Sequence, residues 1–221
     1  MTTSSAYAYD PASNEFIDEA YERCGIDPAK LTVRHMRSAR RSLNLMFSEW
    51  PNKGVKLWAV GQVTLDMVSS PATQTYNSAT GTICILDAVL RRSSVDTPMF
   101  PMSRSEYAAI PNKTTTGMPS RFYLDRAITT PTITVWPSPE NSTDDMLYWR
   151  VRRLQDVGDP SNTLDVSSRW FEPVASGLAA KLAVKFAPDR IDKLAVLAGV
   201  AFDAAHSEER ERCDTQFTMG P

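Results

Sequence analysis

The chain is poor in the residues that covalent stapling and nucleophilic catalysis need. Its three cysteines, Cys24, Cys84 and Cys213, are odd in number, far apart and without paired spacing, so neither a disulfide framework nor a zinc site is signalled. Only His35 and His206 could act as base for a serine or cysteine nucleophile. Both fall on expected helices with no partner motif, and each reads as structural. Nine glycines include no phosphate-cradling glycine–lysine loop and no dinucleotide fingerprint, and no helical zinc-binding HExxH pattern occurs. Nowhere do about 18 apolar residues follow one another, as a membrane-spanning helix requires. The start, MTTSSAYAYDPASNEF, has neither a positive region nor an apolar run, which excludes an ordinary secretory signal. Charge of one sign is lacking too: 24 cations against 26 anions leave a net charge of -2, giving no general drive toward nucleic acid. The expectation is a non-enzymatic protein made in a reducing cytoplasm, with no catalytic residues, cofactor, metal or membrane contact.

What is present is an ordinary globular composition, 42% hydrophobic and 23% charged, enough to bury a core. From Ser13 the spacing of Phe16, Ile17, Ala20, Tyr21 and Cys24 is helical, with Gly25 placed to end the helix. After the Ile26-Asp27-Pro28 turn, Thr32 can cap a longer helix. Its apolar stripe is Met36, Ala39, Leu43, Met46, Phe47 and Trp50. The opposite side carries Arg34, Arg37 and Arg41, beginning in the first turn, where the helix dipole disfavours cations. That stripe is a candidate partner interface. Near the other end, Trp170 to Ala187 reads as a thin helix of Ala175, Ala179, Ala180 and Ala183 with Leu178 and Leu182. Asp189 can then cap a final helix holding Ile191, Leu194, Leu197, Ala198, Ala201 and Ala205.

Between these helices the pattern turns to strand. Val63, Leu65 and Met67 alternate with Gln62, Thr64 and Asp66. Ser69 to Thr80 is a dozen uncharged, mostly polar residues, long for a plain connection, and reads as a mobile loop or contact finger. Thr82 to Arg92 reads as strand because Ile83 and Ile85 are β-branched. Ser103-Arg-Ser-Glu106 has the form of a capping box ahead of a short helix over Arg104 to Ala109. Arg121 to Arg126, Thr132 to Trp136 and Met146 to Leu154 follow with turn-rich joints and read as a β-meander of antiparallel neighbours. On its last strand Leu147, Trp149 and Val151 share the apolar face, and Tyr148, Arg150 and Arg152 the cationic one. Asp144, Asp145 and Asp125 read as loop and strand-end carboxylates. Trp136 and Trp149 with Arg150, Arg152 and Arg153 could stack bases, though sheet cores need aromatics as well.

The fold class expected is α+β: terminal helix pairs forming a helical bundle with a central antiparallel β-rich module. The bundle takes residues 13–54 and 168–212 and the module takes 55–167. Residues 1–12 form a flexible arm and 213–221 a C-terminal tail. Tyr7, Tyr9, Phe217 and Met219 are the arm and tail side chains able to anchor in a partner's groove.

Five segments resemble a known family in residue content and order. They are ARRSLNLMFSEWPNKGVKLWAV (Ala39 to Val60), SRSEYAAIPNKTTTGMPSRFYLDR (Ser103 to Arg126), TITVWPSP (Thr132 to Pro139), YWRVRRLQD (Tyr148 to Asp156) and SRWFEPVASGLAAKLAVKFAPDR (Ser168 to Arg190). Together they resemble the head-to-tail adaptor proteins of short-tailed bacteriophages, of the tail tubular protein A and tail accessory factor type. The resemblance runs from about residue 13 to about 212 and fails at both arms and over 69–80. It implies a structural virion protein at the head–tail interface: a ring of about twelve copies beneath the portal, joined to a tail or nozzle protein and passing DNA only transiently. It supplies no catalytic residues. The alternatives are a virion-associated hydrolase and a sheet-based nucleic-acid-binding module.

Overall fold

The computed structural model describes residues 9–55, 57–69, 74–128 and 130–209. Expectations for Tyr7, Cys213, Phe217 and Met219 lie outside the described residues. In chain order the elements are α1 (Ser13–Arg23), α2 (Val33–Glu49), β1 (Val60–Asp66), β2 (Thr75–Asn77), β3 (Thr82–Arg92), β4 (Val95–Pro101) and α3 (Arg104–Ala109). Then come β5 (Thr116–Gly117), β6 (Arg121–Asp125), β7 (Thr132–Trp136), β8 (Ser138–Pro139), β9 (Asp145–Arg152), α4 (Phe171–Phe186) and α5 (Ile191–Glu208). The fold class is α+β, in two units, one running to Leu57 and resuming at Leu154, the other spanning Trp58–Arg153.

In the helical unit, apolar spacing decides which side of each helix is buried. α1 buries Phe16, Ile17, Ala20 and Tyr21, and the chain leaves it through Gly25 at φ +81°, a left-handed conformation that costs glycine nothing. α2 buries Ala39, Leu43, Met46 and Phe47, and stops in a 3-10 turn over Trp50–Lys53 sealed by Gly54 at φ +86°. α4 is the central element. Its Leu178, Ala179, Leu182 and Ala183 are fully buried, each leucine contributing about 2 kcal/mol of burial. Its small residues let α1, α2 and α5 approach: Gly177 faces the Met46 sulfur, and Lys185 donates to Ser42 Oγ at 2.6 Å. Trp170 packs on Trp50 and on Phe202 of α5, with ring centroids 4.9 and 5.4 Å apart.

Two boundaries move. Residues from Leu154 on belong with the helices, not with the sheet, because their backbone is tied there. The Asn44 amide brackets Val157, accepting from its N–H at 2.7 Å, and Arg40 donates to the Gly158 carbonyl at 3.0 Å. The Ser13 amide donates to the Asn162 carbonyl at 2.9 Å. Asp189 does not cap α5; it lies in a 3-10 turn (Pro188–Arg190), and Arg190 occupies the cap position.

The seven-stranded sheet has the order β1-β9-β3-β4-β6-β7-β2. It corrects the expected meander. β6 and β7 pair antiparallel, but β9 lies between β1 and β3, with Val60 opposite Val151 and Ala88 opposite Tyr148. The sheet is also mixed, not purely antiparallel: β4 and β6 run parallel. A parallel pair needs a crossover, and α3 supplies it, its Ser103–Glu106 capping box formed as the sequence indicates. The 69–80 stretch is not wholly loop, since β2 pairs with β7. The sheet curls until its edges meet, the Tyr76 hydroxyl of β2 donating to the Val68 carbonyl just past β1 at 3.2 Å. Met67, Leu90, Ile133, Val135, Met146 and Tyr148 fill the interior. Tyr148 was expected on the cationic face of β9, yet it is wholly buried, as is the opposite-face Leu147. A central strand of a curled sheet is covered on both sides, so alternation no longer marks solvent.

Candidate partner interface

α2 begins after Thr32, whose amide donates to His35 Nδ1 at 3.1 Å. Arg34, Arg37 and Arg41 are all exposed, and among the described residues none makes a hydrogen bond or ion pair. Arg40, one position off the stripe, is the arginine that the fold ties down. The stripe is flanked by exposed Val33 and Leu45. Its field is felt nearby: burial first, then the Arg41 and Lys181 charges, hold the Lys185 ammonium below its ordinary range. Nothing in the described residues offsets the unfavourable placement of Arg34 in the first turn, at the positive end of the helix dipole.

A second surface escaped the sequence reading. Glu15, Asp18 and Glu22 stand at i, i+3 and i+7 on α1, a row of carboxylates at the helical period of 3.6. They border a groove of about 590 Å³ closed on its other side by the start of α4. Phe16 and Phe171 lie at its base, edge to face at 5.5 Å, with Tyr9 against Phe171 at 6.2 Å. Three of the bordering carboxylates are engaged: Glu15 accepts from the Ala12 amide at 3.3 Å, and Arg23 forks to Glu19 at 2.7 Å and Glu172 at 2.6 and 2.8 Å. That pairing holds the Glu172 carboxyl below its ordinary range. Asp18 is pushed the other way, upward, by burial and then by Glu15.

The third surface is α5. Leu194 is its one buried residue among those described, whereas Val196 and Val200 are 66% and 64% exposed and Leu197 is 48% exposed. The expected stripe placed Leu197 inward. Val196, Leu197 and Val200 share α5's outer side with exposed Asp192, Lys193 and Asp203, while its inner side packs on α4 and, through Phe202, on Trp50.

Other candidates resolve into structural roles. Arg150 is not offered for phosphate: it donates to the carbonyls of Ala79 and Thr80 at 3.0 and 2.7 Å and to Thr82 Oγ1 at 2.9 Å. Asp144, fully buried, accepts a fork from Arg92 at 2.9 and 2.7 Å, and the same guanidinium reaches Glu140 at 2.8 Å. His35 packs edge-on against Phe186 at 5.0 Å, and His206 stacks on Phe202 at 5.7 Å. Among the described residues no group of His, Cys, Asp and Glu could hold a metal, and no helix is long and apolar enough to cross a membrane. No family model matches the chain, and no curated protein matches it.

Proposed function

We propose that the protein is a structural subunit of a closed homo-oligomer. More particularly, we take it as a head-to-tail adaptor of a short-tailed phage: a ring of about twelve copies that sits below the portal, joins the capsid vertex to the tail or nozzle protein and continues the DNA channel in the virion. The observation that carries the proposal is that one helical unit presents three surfaces without intramolecular partners among the described residues: Arg34, Arg37 and Arg41 of α2, Asp18 and Glu22 of α1, and the outer face of α5. A solitary globular subunit has no use for them, since exposed apolar helix faces mark interaction sites. A ring subunit needs such side surfaces to meet the next copy, and a further one to meet the portal. The near-neutral net charge of -2 suits a channel wall along which DNA slides without being held. The inward engagement of Arg150 and Arg92 favours this reading over a sheet that stacks nucleic acid.

Electron microscopy of the protein mixed with the portal of the same phage tests the proposal. Ring density on the tail-facing side of the portal is expected. Portal particles with no added density at saturating protein overturn it.

A further inference from the structure

The carboxylates on α1 and the arginines on α2 match in a way that neither surface explains alone. Glu15, Asp18 and Glu22 stand at i, i+3 and i+7; Arg34, Arg37 and Arg41 stand at i, i+3 and i+7. Both rows therefore lie along one side of a helix and span about 10 Å at 1.5 Å per residue. The arginine row is unfavourable where it stands, and so is the Asp18–Glu22 part of the acidic row, while Glu15 in the first turn caps its own helix by accepting from the Ala12 N–H at 3.3 Å. Like charges three and four residues apart repel along a helix, and neither row meets an opposite charge among the described residues. The acidic row edges a groove of about 590 Å³ with five carboxylates against two guanidiniums, Arg23 and Arg169. The aromatic base formed by Phe16 and Phe171 is a surface on which a guanidinium stacks favourably. The arginine row in turn carries exposed Val33 and Leu45 at its two ends, apolar side chains that such a contact would cover.

We propose that Arg34, Arg37 and Arg41 of one copy seat along Glu15, Asp18 and Glu22 of a second copy of this chain, in the groove between α1 and the start of α4. The occupant is a second copy because the complementary row, equal in spacing and opposite in sign, is on the same chain. The two surfaces are different patches, so the contact is heterologous: each copy uses its arginines on one neighbour and its carboxylates on the other, and the contact repeats until it closes. This rests on the ring reading above and names the surfaces that would build the ring. A single contact of this kind is modest, and closure multiplies it.

Charge exchange tests it with two full-length variants, Arg37→Glu with Arg41→Glu, and Asp18→Lys with Glu22→Lys. All four positions lie on the helix surface, and circular dichroism confirms that each variant folds. In sedimentation at about 20 mM salt, where screening is weak, the wild type self-associates. Each variant alone loses association by about tenfold or more, because like charges now face each other. The equimolar mixture regains it, since every contact in an alternating assembly pairs opposite charges again. A wild type that stays monomeric under these conditions, variants that assemble as well as wild type, or a mixture as weak as its components each overturn the proposal. If a reversed variant fails to fold, Arg37→Gln with Arg41→Gln serves instead; its association must be weaker and less salt-dependent, and unchanged salt dependence overturns the proposal. Portal binding is scored separately. A ring on the portal with no response to charge exchange refutes this interface and leaves the adaptor reading standing, while charge-directed self-association with no portal binding does the reverse.

Discussion

The helical unit and the sheet unit handle their charges in opposite ways. On β3 and β9 the arginines are used inside the unit: Arg91 forks to Asp96 at 2.7 Å, Arg92 to Asp144, and Arg150 to backbone carbonyls. On α2 the arginines of one stripe face solvent with no partner among the described residues, and Asp18 and Glu22 of α1 likewise make no hydrogen bond or ion pair there. Apolar exposure differs as well. Val95, Phe100 and Ile128 of the sheet unit are exposed at separate places along the chain, whereas Val196, Leu197 and Val200 stand within five residues of one helix. Scattered exposed apolar residues are normal on any protein, whereas a contiguous exposed row is the kind of surface that marks interaction sites. The difference teaches that the sheet unit satisfies its arginines internally, whereas the helical unit leaves charged and apolar rows facing solvent.

Five substitutions would break or sharpen that contrast. Trp170→Ala removes the ring that holds Trp50 and Phe202 and should destabilise the helical unit by about 4 kcal/mol. Hydrogen exchange should then rise across α4 and α5 while β3 and β9 stay protected; equal loss in both units would mean that they unfold as one. Asp144→Ala leaves Arg92 with Glu140 alone and should cost the sheet unit about 3 kcal/mol, read as a lowered denaturation midpoint with the protection pattern reversed. Gly25→Ala forces a side chain into a φ of +81° and places its Cβ 2.7 Å from the Arg190 guanidinium. That guanidinium bonds the Arg23 carbonyl, and the change should cost about 1–2 kcal/mol.

The two smallest effects on stability discriminate most. Val200→Asp, on the exposed side of α5, should leave the melting temperature of the free protein nearly unchanged, within about 0.5 kcal/mol, yet abolish assembly or portal docking in a pull-down. A large loss of stability would show that this face is core. Glu172→Gln addresses pH. Its carboxyl, beside Arg23, titrates below the ordinary 4.5, so the pair stabilises above about pH 4.5, and that contribution is lost as pH falls through the lowered value. Glu172 is largely exposed, so the contribution at neutral pH is about 0.5 kcal/mol or less. The stabilities of wild type and variant, measured by urea titration, should converge as pH falls below the lowered value.

Much of the helical structure was legible in the residues. The stripe of α2, the glycine stop of α1 and the Ser103–Glu106 capping box all appear as the spacing indicates, because a helix bonds residues four apart and its caps lie within one turn. The strand of Thr82 to Arg92 was legible from its β-branched residues. β4 was not: the hairpin turns on Ser93 and Ser94 at φ +50° and +66°, positions usually marked by glycine or asparagine, and Pro98 and Pro101 argue against a strand. At the candidate interface, Arg34, Arg37 and Arg41 were legible as a row, and the carboxylates of α1 could have been found by the same spacing.

By itself, then, the sequence determined which segments are helices, where α1 and α2 stop, and that a row of arginines lies along α2. Which strands became neighbours was decided only in three dimensions. β9 sits between β1 and β3, some 80 and 50 residues away in the chain, a distance at which no local pattern specifies pairing. Burial on both sides of β9, the inward turn of Arg150 and the solvent-facing valines of α5 are likewise tertiary outcomes. They depend on how many neighbours an element has, and a periodicity reports only how its own residues are spaced.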